Sequence, residues 1–209
     1  MSGAGGAEVA LRPATEGDLL GMAKVHRAAY GAGHFLALLP ESALVEYYRL
    51  FLGGGSRILV AEHVTAGATP TLAGFAVYGT GIEPRIAQFK RAQRSTILRT
   101  ALANPMVAGR KVALGVLMGR EHVPHRPASW LLLSIAVAGA GRGVGSRLLR
   151  AMLRDATEVG ESTLGLYVRH SNVVAVNAYL RAGFRIVASM SDQYYMEVSL
   201  PSSTPADMS

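Results

Sequence analysis

Apolar and polar positions alternate over Val9 to Arg12, which predicts a first β-strand. Thr15-x-x-Asp18 has the form of a capping box and opens a helix expected to run through Tyr30. Leu44, Tyr47, Tyr48 and Phe51 recur at helical spacing and mark the inner face of a second helix, closed by Gly53-Gly54-Gly55. Arg57 to His63 and Thr71 to Tyr78 read as a hairpin around Ala66-Gly67-Ala68. Trp130 to Ala138 is a central strand, and Leu148, Leu149, Met152 and Leu153 face inward on the helix that follows. Leu164 to Val168 alternates like a half-buried strand. Ser171 or Asn172 can cap a short helix that ends where Gly183 supplies a left-handed residue. Arg185 to Ser189 and Tyr194 to Leu200 make a closing hairpin. Strands interleaved with helices place the chain in the α/β class.

Composition narrows the class further. The 209 residues suffice for one well-filled core. Half are hydrophobic, yet no uncharged apolar run approaches the roughly 20 residues of a membrane span. With no cysteine, disulfides, thiolate metal sites and a cysteine nucleophile are excluded, and no other metal site is expected. Residues 1–8 read as a disordered, glycine-rich lead, 9–200 as a single domain and 201–209 as a flexible tail. The expected location is the cytoplasm.

Between the central strand and its helix lies Ala138-Gly139-Ala140-Gly141-Arg142-Gly143-Val144-Gly145. Glycines let backbone N–H groups face an anion without a Cβ in the way, and a helix N-terminus adds positive potential there. Arg142 adds a full charge, so a pyrophosphate or similar polyanion is the expected guest. The spacing is neither the dinucleotide G-x-G-x-x-G nor a phosphate-loop motif. Read in isolation, the loop has a turn without a ligand as its alternative.

A second motif follows in order. Asn172, Ala175 and Tyr179 share one helical face, and Gly183-Phe184 ends the element. Together with Ile135-Ala136-Val137, the glycine loop, and the opening Leu11-Arg12-Pro13-Ala14-Thr15 with Asp18-Leu19, these residues resemble the GNAT superfamily of acyl-CoA N-acyltransferases. The resemblance covers roughly residues 9–80 and 130–200. It implies a mixed, mostly antiparallel central sheet flanked by helices, and acetyl-CoA as co-substrate. It further implies cofactor contacts from Ile135, Ala136, Val137, Gly141, Arg142, Gly143, Val144, Gly145, Ser146 and Asn172. By the same resemblance Tyr179 is the general acid; a phenol with a pKa of about 10 is protonated at neutral pH. The alternative for Tyr179 is packing beside Phe184. Backbone groups of Ile135 to Ala138 would pair with the pantetheine arm. Two departures stand out: Ala140 occupies a position where relatives carry Gln or Arg, and the segment from Val137 to Gly141 is about two residues short. Leu131 and Leu133 stand where some relatives carry a basic or acidic catalyst.

Residues 82–127 form a helical insert longer than the family pattern. Pro84 to Asn104 reads as an amphipathic helix with Ile86, Phe89, Ile97, Leu98 and Leu102 on its apolar side, and Pro105 to Gly119 as a second helix. Residues 83–126 hold nine basic side chains against Glu83 and Glu121, a surplus equal to the whole net charge of +7. Such a concentration suits an anionic acceptor, for instance an amino-sugar nucleotide whose diphosphate meets Arg85, Lys90, Arg91 or Arg94. Peripheral membrane contact, a homodimer element and a plain solvated face are alternatives; no nucleic-acid motif accompanies the charge. Candidate bases for the acceptor amine are His26, His34, His122, His125 and Glu83, with water equally suited. The expected function is direct acetyl transfer from acetyl-CoA to a primary amine of a small molecule. The alternatives are a protein amine as acceptor, or an acyl-CoA sensor or scaffold without turnover.

Overall fold

The computed structural model describes residues 8–31, 33–109, 127–139 and 143–201. Seven strands form one sheet: β1 (Glu8–Pro13), β2 (Ser56–Val64), β3 (Thr71–Gly79), β4 (Trp130–Val137), β5 (Thr163–Arg169), β6 (Arg185–Ser189) and β7 (Gln193–Ser199). Their spatial order is β1-β2-β3-β4-β5-β7-β6, antiparallel everywhere except between β4 and β5. The sheet is therefore mixed and mostly antiparallel, as expected.

The helices are α1 (Leu19–Tyr30), α2 (Glu41–Arg49), α3 (Ile82–Ala92), α4 (Arg94–Ala103), α5 (Val144–Glu158) and α6 (Val173–Arg181). A single turn of 3₁₀ helix, Glu16–Asp18, leads into α1. Its start is built as the sequence predicts: the Asp18 carboxylate accepts from the Thr15 N–H at 2.7 Å and from the Thr15 hydroxyl at 2.9 Å. Arg12 then closes on the same carboxylate through two bonds of 2.8 Å and on Glu62 of β2, which fixes the first helix to the sheet edge.

The two sheet faces hold two cores. One packs α1, α2 and α3 over Phe75 and Val77 through Leu19, Met22, Leu44, Tyr48 and Phe51. The other packs α5 and α6 over Tyr78, Trp130, Leu164 and Met196 through Leu148, Met152, Tyr179 and Phe184. Leu148, Leu149 and Met152 are buried as expected; Leu153 is only half-buried and lines a groove beside β1.

The insert differs from its expectation. Pro84 to Asn104 is not one helix: Gln93, at φ −102° and ψ 23°, breaks it between α3 and α4. Ile86, Phe89, Ile97 and Thr100 make the inward face, at spacings that run on across the break. Leu98 and Leu102, expected inward, are 57% and 73% exposed. Residues 105–109 are helical, and the rest of the second expected helix lies outside the described residues.

Candidate functional site

The central feature is where β4 and β5 part. They pair only over Trp130–Leu164, Leu131–Gly165 and Leu132–Leu166. Beyond Leu132 the two strands share no further pairs, so among the described residues the side of 133–137 that faces β5 has no strand partner.

A bulge sits at the same place. Val77 of β3 pairs with Ser134, whereas the next residue, Tyr78, pairs with Leu132, which leaves Leu133 extra. An added residue reverses the alternation of a strand. Trp130 and Leu132 point to the α5 side, and so do Ile135 and Val137, while Leu133 and Ser134 both turn to the α1 side.

The pleat also sorts the backbone. The Ala138 N–H donates to the Ala73 carbonyl at 2.8 Å, so Ala138 and, by alternation, Ala136 direct their polar groups at β3. Ile135 and Val137 direct theirs at the opening. The Ile135 carbonyl confirms this, since it accepts the Tyr30 hydroxyl at 3.1 Å. Of the four residues expected to pair with a pantetheine arm, Ile135 and Val137 turn their backbone groups to the opening, and Ala136 and Ala138 turn theirs to β3.

The start of α5 abuts this edge. Gly143 caps the helix with φ +77°, a left-handed conformation that glycine adopts without strain. The amides of Val144, Gly145 and Ser146 are the first of the helix and have no intrahelical acceptor. Gly143 and Ser146 are exposed, whereas Val144 is fully buried. Close approach of helix and strand depends on Gly74 of β3, where a Cβ would lie 2.7 Å from the Ala136 carbonyl oxygen and 3.3 Å from Val144 Cγ1. Ala140, Gly141 and Arg142 lie outside the described residues.

Tyr179 lies on α6. Asn172 is the cap of that helix, its side-chain oxygen accepting from the Ala175 N–H at 3.2 Å, and Gly183 follows the helix with φ +92°. Tyr179 is 7% exposed and its ring meets that of Phe184 at 5.6 Å. Burial raises its phenol above the ordinary value near 10, and Tyr30 adds to the rise.

Around Tyr30 lies a polar cluster that sequence reasoning did not find. Its hydroxyl is 3.1 Å from Ser134 Oγ, and its ring packs 4.4 Å from that of His26. Tyr48 in turn meets His26 Nδ1 at 2.5 Å. No spacing rule links residues so distant in sequence; the bulge brings them together. His26 is 2% exposed, and burial, with His34 second, lowers its pKa to about 3, so it is a neutral core residue rather than a base at the opening. The His34 ring packs 4.9 Å from that of Tyr30. Glu83 is exposed near the start of α3, and its charge helps raise the phenol of Tyr167 on β5, after burial. His122 and His125 lie outside the described residues.

The basic insert divides in two. Arg85 is used within the fold: its guanidinium donates to the carbonyls of Gly81 at 2.9 Å, Thr80 at 3.2 Å, Gly53 at 3.2 Å and Gly54. Lys90, Arg91, Arg94 and Arg99 are exposed.

A family model described as the acetyltransferase (GNAT) family matches residues 61–184, more than half of the chain. No curated protein sequence matches. Solved structures do. The ribosomal-protein-S18-alanine N-acetyltransferase of Escherichia coli superposes with a TM-score of 0.58 at 15% identity, covering 95% of this chain and 97% of that one. The yncA protein of Salmonella typhimurium, solved with its cofactor acetyl-CoA, gives 0.57 at 16% identity, covering 96% and 99%. An N-acetyltransferase of Thermoplasma acidophilum in complex with coenzyme A gives 0.54 at 14% identity, covering 92% and 99%. At these identities the likeness is one of fold.

Proposed function

The chain belongs to the GNAT acetyltransferase family, and from that premise we propose that it transfers an acetyl group from acetyl-CoA directly to a primary amine. The observation that carries this reading is the edge that β4 turns away from β3 beyond Leu132, with the Ile135 and Val137 backbone groups directed at the opening and the N-terminus of α5 packed beside it. A pantetheine arm fits as an added strand against that edge. Phosphates fit the helix N-terminus, where Gly143 leaves the approach open. The bound co-substrate supplies a thioester at the opening.

Each residue then has a defined task. A backbone N–H of the β4 edge polarises the thioester carbonyl. The neutral acceptor amine forms the new N–C bond as the C–S bond breaks, and its surplus proton leaves to solvent. Tyr179 donates its phenolic proton to the departing sulfur. Burial keeps that proton in place through neutral pH and makes its release follow the growth of charge on sulfur. Direct transfer is the route left to a chain without cysteine, whose thiol is the commonest acyl carrier.

For the acceptor, the exposed cations Lys90, Arg91 and Arg94 favour an anionic small molecule such as an amino-sugar nucleotide; Arg85 is withdrawn from that role by its carbonyl contacts. A second reading of the insert rests on the exposed stripe Leu98, Leu102 and Met106, four residues apart and flanked by Arg94 and Arg99, which suits contact with an anionic bilayer surface.

The test is binding followed by turnover. Acetyl-CoA should raise the melting temperature, and thiol release should appear with at least one amine of a broad panel. Stabilisation without release on the whole panel would replace the enzyme with an acyl-CoA sensor, and the absence of any stabilisation would remove both.

A further inference from the structure

β1 is an edge strand, and its free side forms one wall of a groove of about 570 Å³ whose other wall is α5. Val9, Leu11 and Leu153 give the groove an apolar lining, and Arg147, Arg150 and Arg154 give it charge. The arginines are spaced three and four residues apart, so one face of α5 carries all of them. Arg147 donates to the Val9 carbonyl at 3.3 Å. Among the described residues Arg150 and Arg154 make no ion pair, and no acidic side chain lines the groove.

The strand's backbone is sorted by its pleat. The Ala14 N–H points inward, donating to the Ile58 carbonyl at 2.9 Å. By alternation Ala10 and Arg12 point inward as well, and the N–H and C=O groups of Val9 and Leu11 point out into the groove. The Arg147 contact on the Val9 carbonyl is independent evidence of that direction. Pro13, the next outward position, has no N–H and ends the usable edge.

We propose that this groove docks an extended, acidic segment of a partner polypeptide, which adds as a strand beside β1 with its carboxylates under Arg147, Arg150 and Arg154. Side chains on one face of a strand recur every ~6.7 Å. The arginine intervals along α5 are about 4.5 and 6 Å, a mismatch that flexible guanidinium stems absorb. A bare polyanion would engage the guanidiniums and leave the Val9 and Leu11 amides and the apolar wall unused. A second copy of this chain would set two arginine rows against each other. The chain's own ends do not match either, since residues 1–7 and 202–209 hold a single acid, Asp207. Three strand spacings, about 14 Å, separate β1 from β4, so docking leaves the opening free.

The probe is a fluorescein-labelled, N-acetylated peptide amide, Thr-Glu-Val-Glu-Val-Glu-Thr, titrated with the full chain and followed by anisotropy. Saturable binding is expected, weakened at least tenfold by Arg150→Glu with Arg154→Glu, while the stabilisation by acetyl-CoA is unchanged. Methylating alternate peptide nitrogens should abolish binding for one of the two possible sets. Equal binding of both methylated sets, or of a Glu-Pro repeat of the same charge, would reduce the groove to an anion patch and overturn strand addition. So would equal binding of the Val-Lys counterpart or a failure of the parent peptide to saturate.

Discussion

The hydroxyl of Tyr30, at the end of α1, donates to the carbonyl oxygen of Ile135 at 3.1 Å, on the edge that β4 turns to the opening. The two residues are 105 apart in sequence, and the contact ties the first helix to the central strand one residue past Ser134, the other partner of the Tyr30 hydroxyl. Burial raises the Tyr30 phenol, with the bonds from Ser134 and Ile135 acting in the opposite sense, so the hydroxyl stays a donor. Tyr30→Phe should cost about 1 kcal/mol, the net value of such a bond. In a domain of this size that is a fall of roughly 2–4 °C in melting temperature. An unchanged melting curve would show the contact to be idle.

Tyr179→Phe should lower kcat by ~10²-fold, as expected for losing general-acid help, with the KM for acetyl-CoA little changed. Because burial lifts the phenol above 10, the wild-type rate should show no alkaline limb from Tyr179 below about pH 10. Full kcat in the Phe variant, measured where chemistry limits the rate, would return Tyr179 to a purely packing role.

Much of this was legible because it is local. The cap Asn172, the ring of Tyr179 and the terminating Gly183 lie within one short helix, whose periodicity and turn chemistry are written in consecutive residues. The same holds for Thr15 and Asp18 at the first helix. The bulge at Leu133 was not legible, because a bulge is defined by the register of the partner strand, and β3 carries no mark of it. Everything downstream of the bulge was hidden with it: Ser134 beside Tyr30, and the restriction of the open edge to Ile135 and Val137. Charge was legible as a quantity and not as an assignment. Arg85 counts as one cation among nine until the carbonyls of Gly53, Gly54, Thr80 and Gly81 are seen around it.

Gly74 and Gly143 support the opening in different ways, and substitutions separate them. Gly74→Ala forces a methyl group against backbone at 2.7 Å and should cost ~1–3 kcal/mol of stability by overpacking. A Cβ at Gly143 meets no atom within 4 Å, so the charge that Gly143→Asp adds should act mainly on the ligand. A carboxylate there repels phosphate and should raise the Kd for coenzyme A at least tenfold beyond Gly143→Ala, which shares the strain at positive φ but not the charge. Equal Kd values for the two variants, read by calorimetry, would place the phosphates elsewhere.

Asp18 gives a pH-dependent contribution whose sign is fixed. Its hydrogen bonds from Arg12, against the opposing effect of burial, hold the carboxyl well below the usual range. A depressed folded-state pKa means stabilisation that is complete above the unfolded value near 3.9 and lost as pH falls below it. Asp18→Asn should therefore cost on the order of 1 kcal/mol at pH 7, as for other capping residues, and the difference from wild type should shrink between pH 4 and pH 2. A gap that stayed constant on acidification in thermal or urea unfolding would assign the effect to shape, not charge.

The insert can be tested by charge without disturbing the core, because Lys90, Arg91 and Arg94 are all exposed. Reversing them together, as Lys90→Glu, Arg91→Glu and Arg94→Glu, should raise the KM for an anionic acceptor by tenfold or more. The KM for acetyl-CoA should stay constant, since the free amides proposed to hold its phosphates lie on α5 and not on the insert. The effect should also weaken with added salt, as exposed charges are screened over about 10 Å at 0.1 M. Loss of binding to phosphatidylglycerol vesicles with acceptor kinetics intact would instead assign the basic face to a bilayer, together with Leu98, Leu102 and Met106. If both measurements were unmoved, these cations would be a solvated face, and acceptor selection would have to reside elsewhere on the chain.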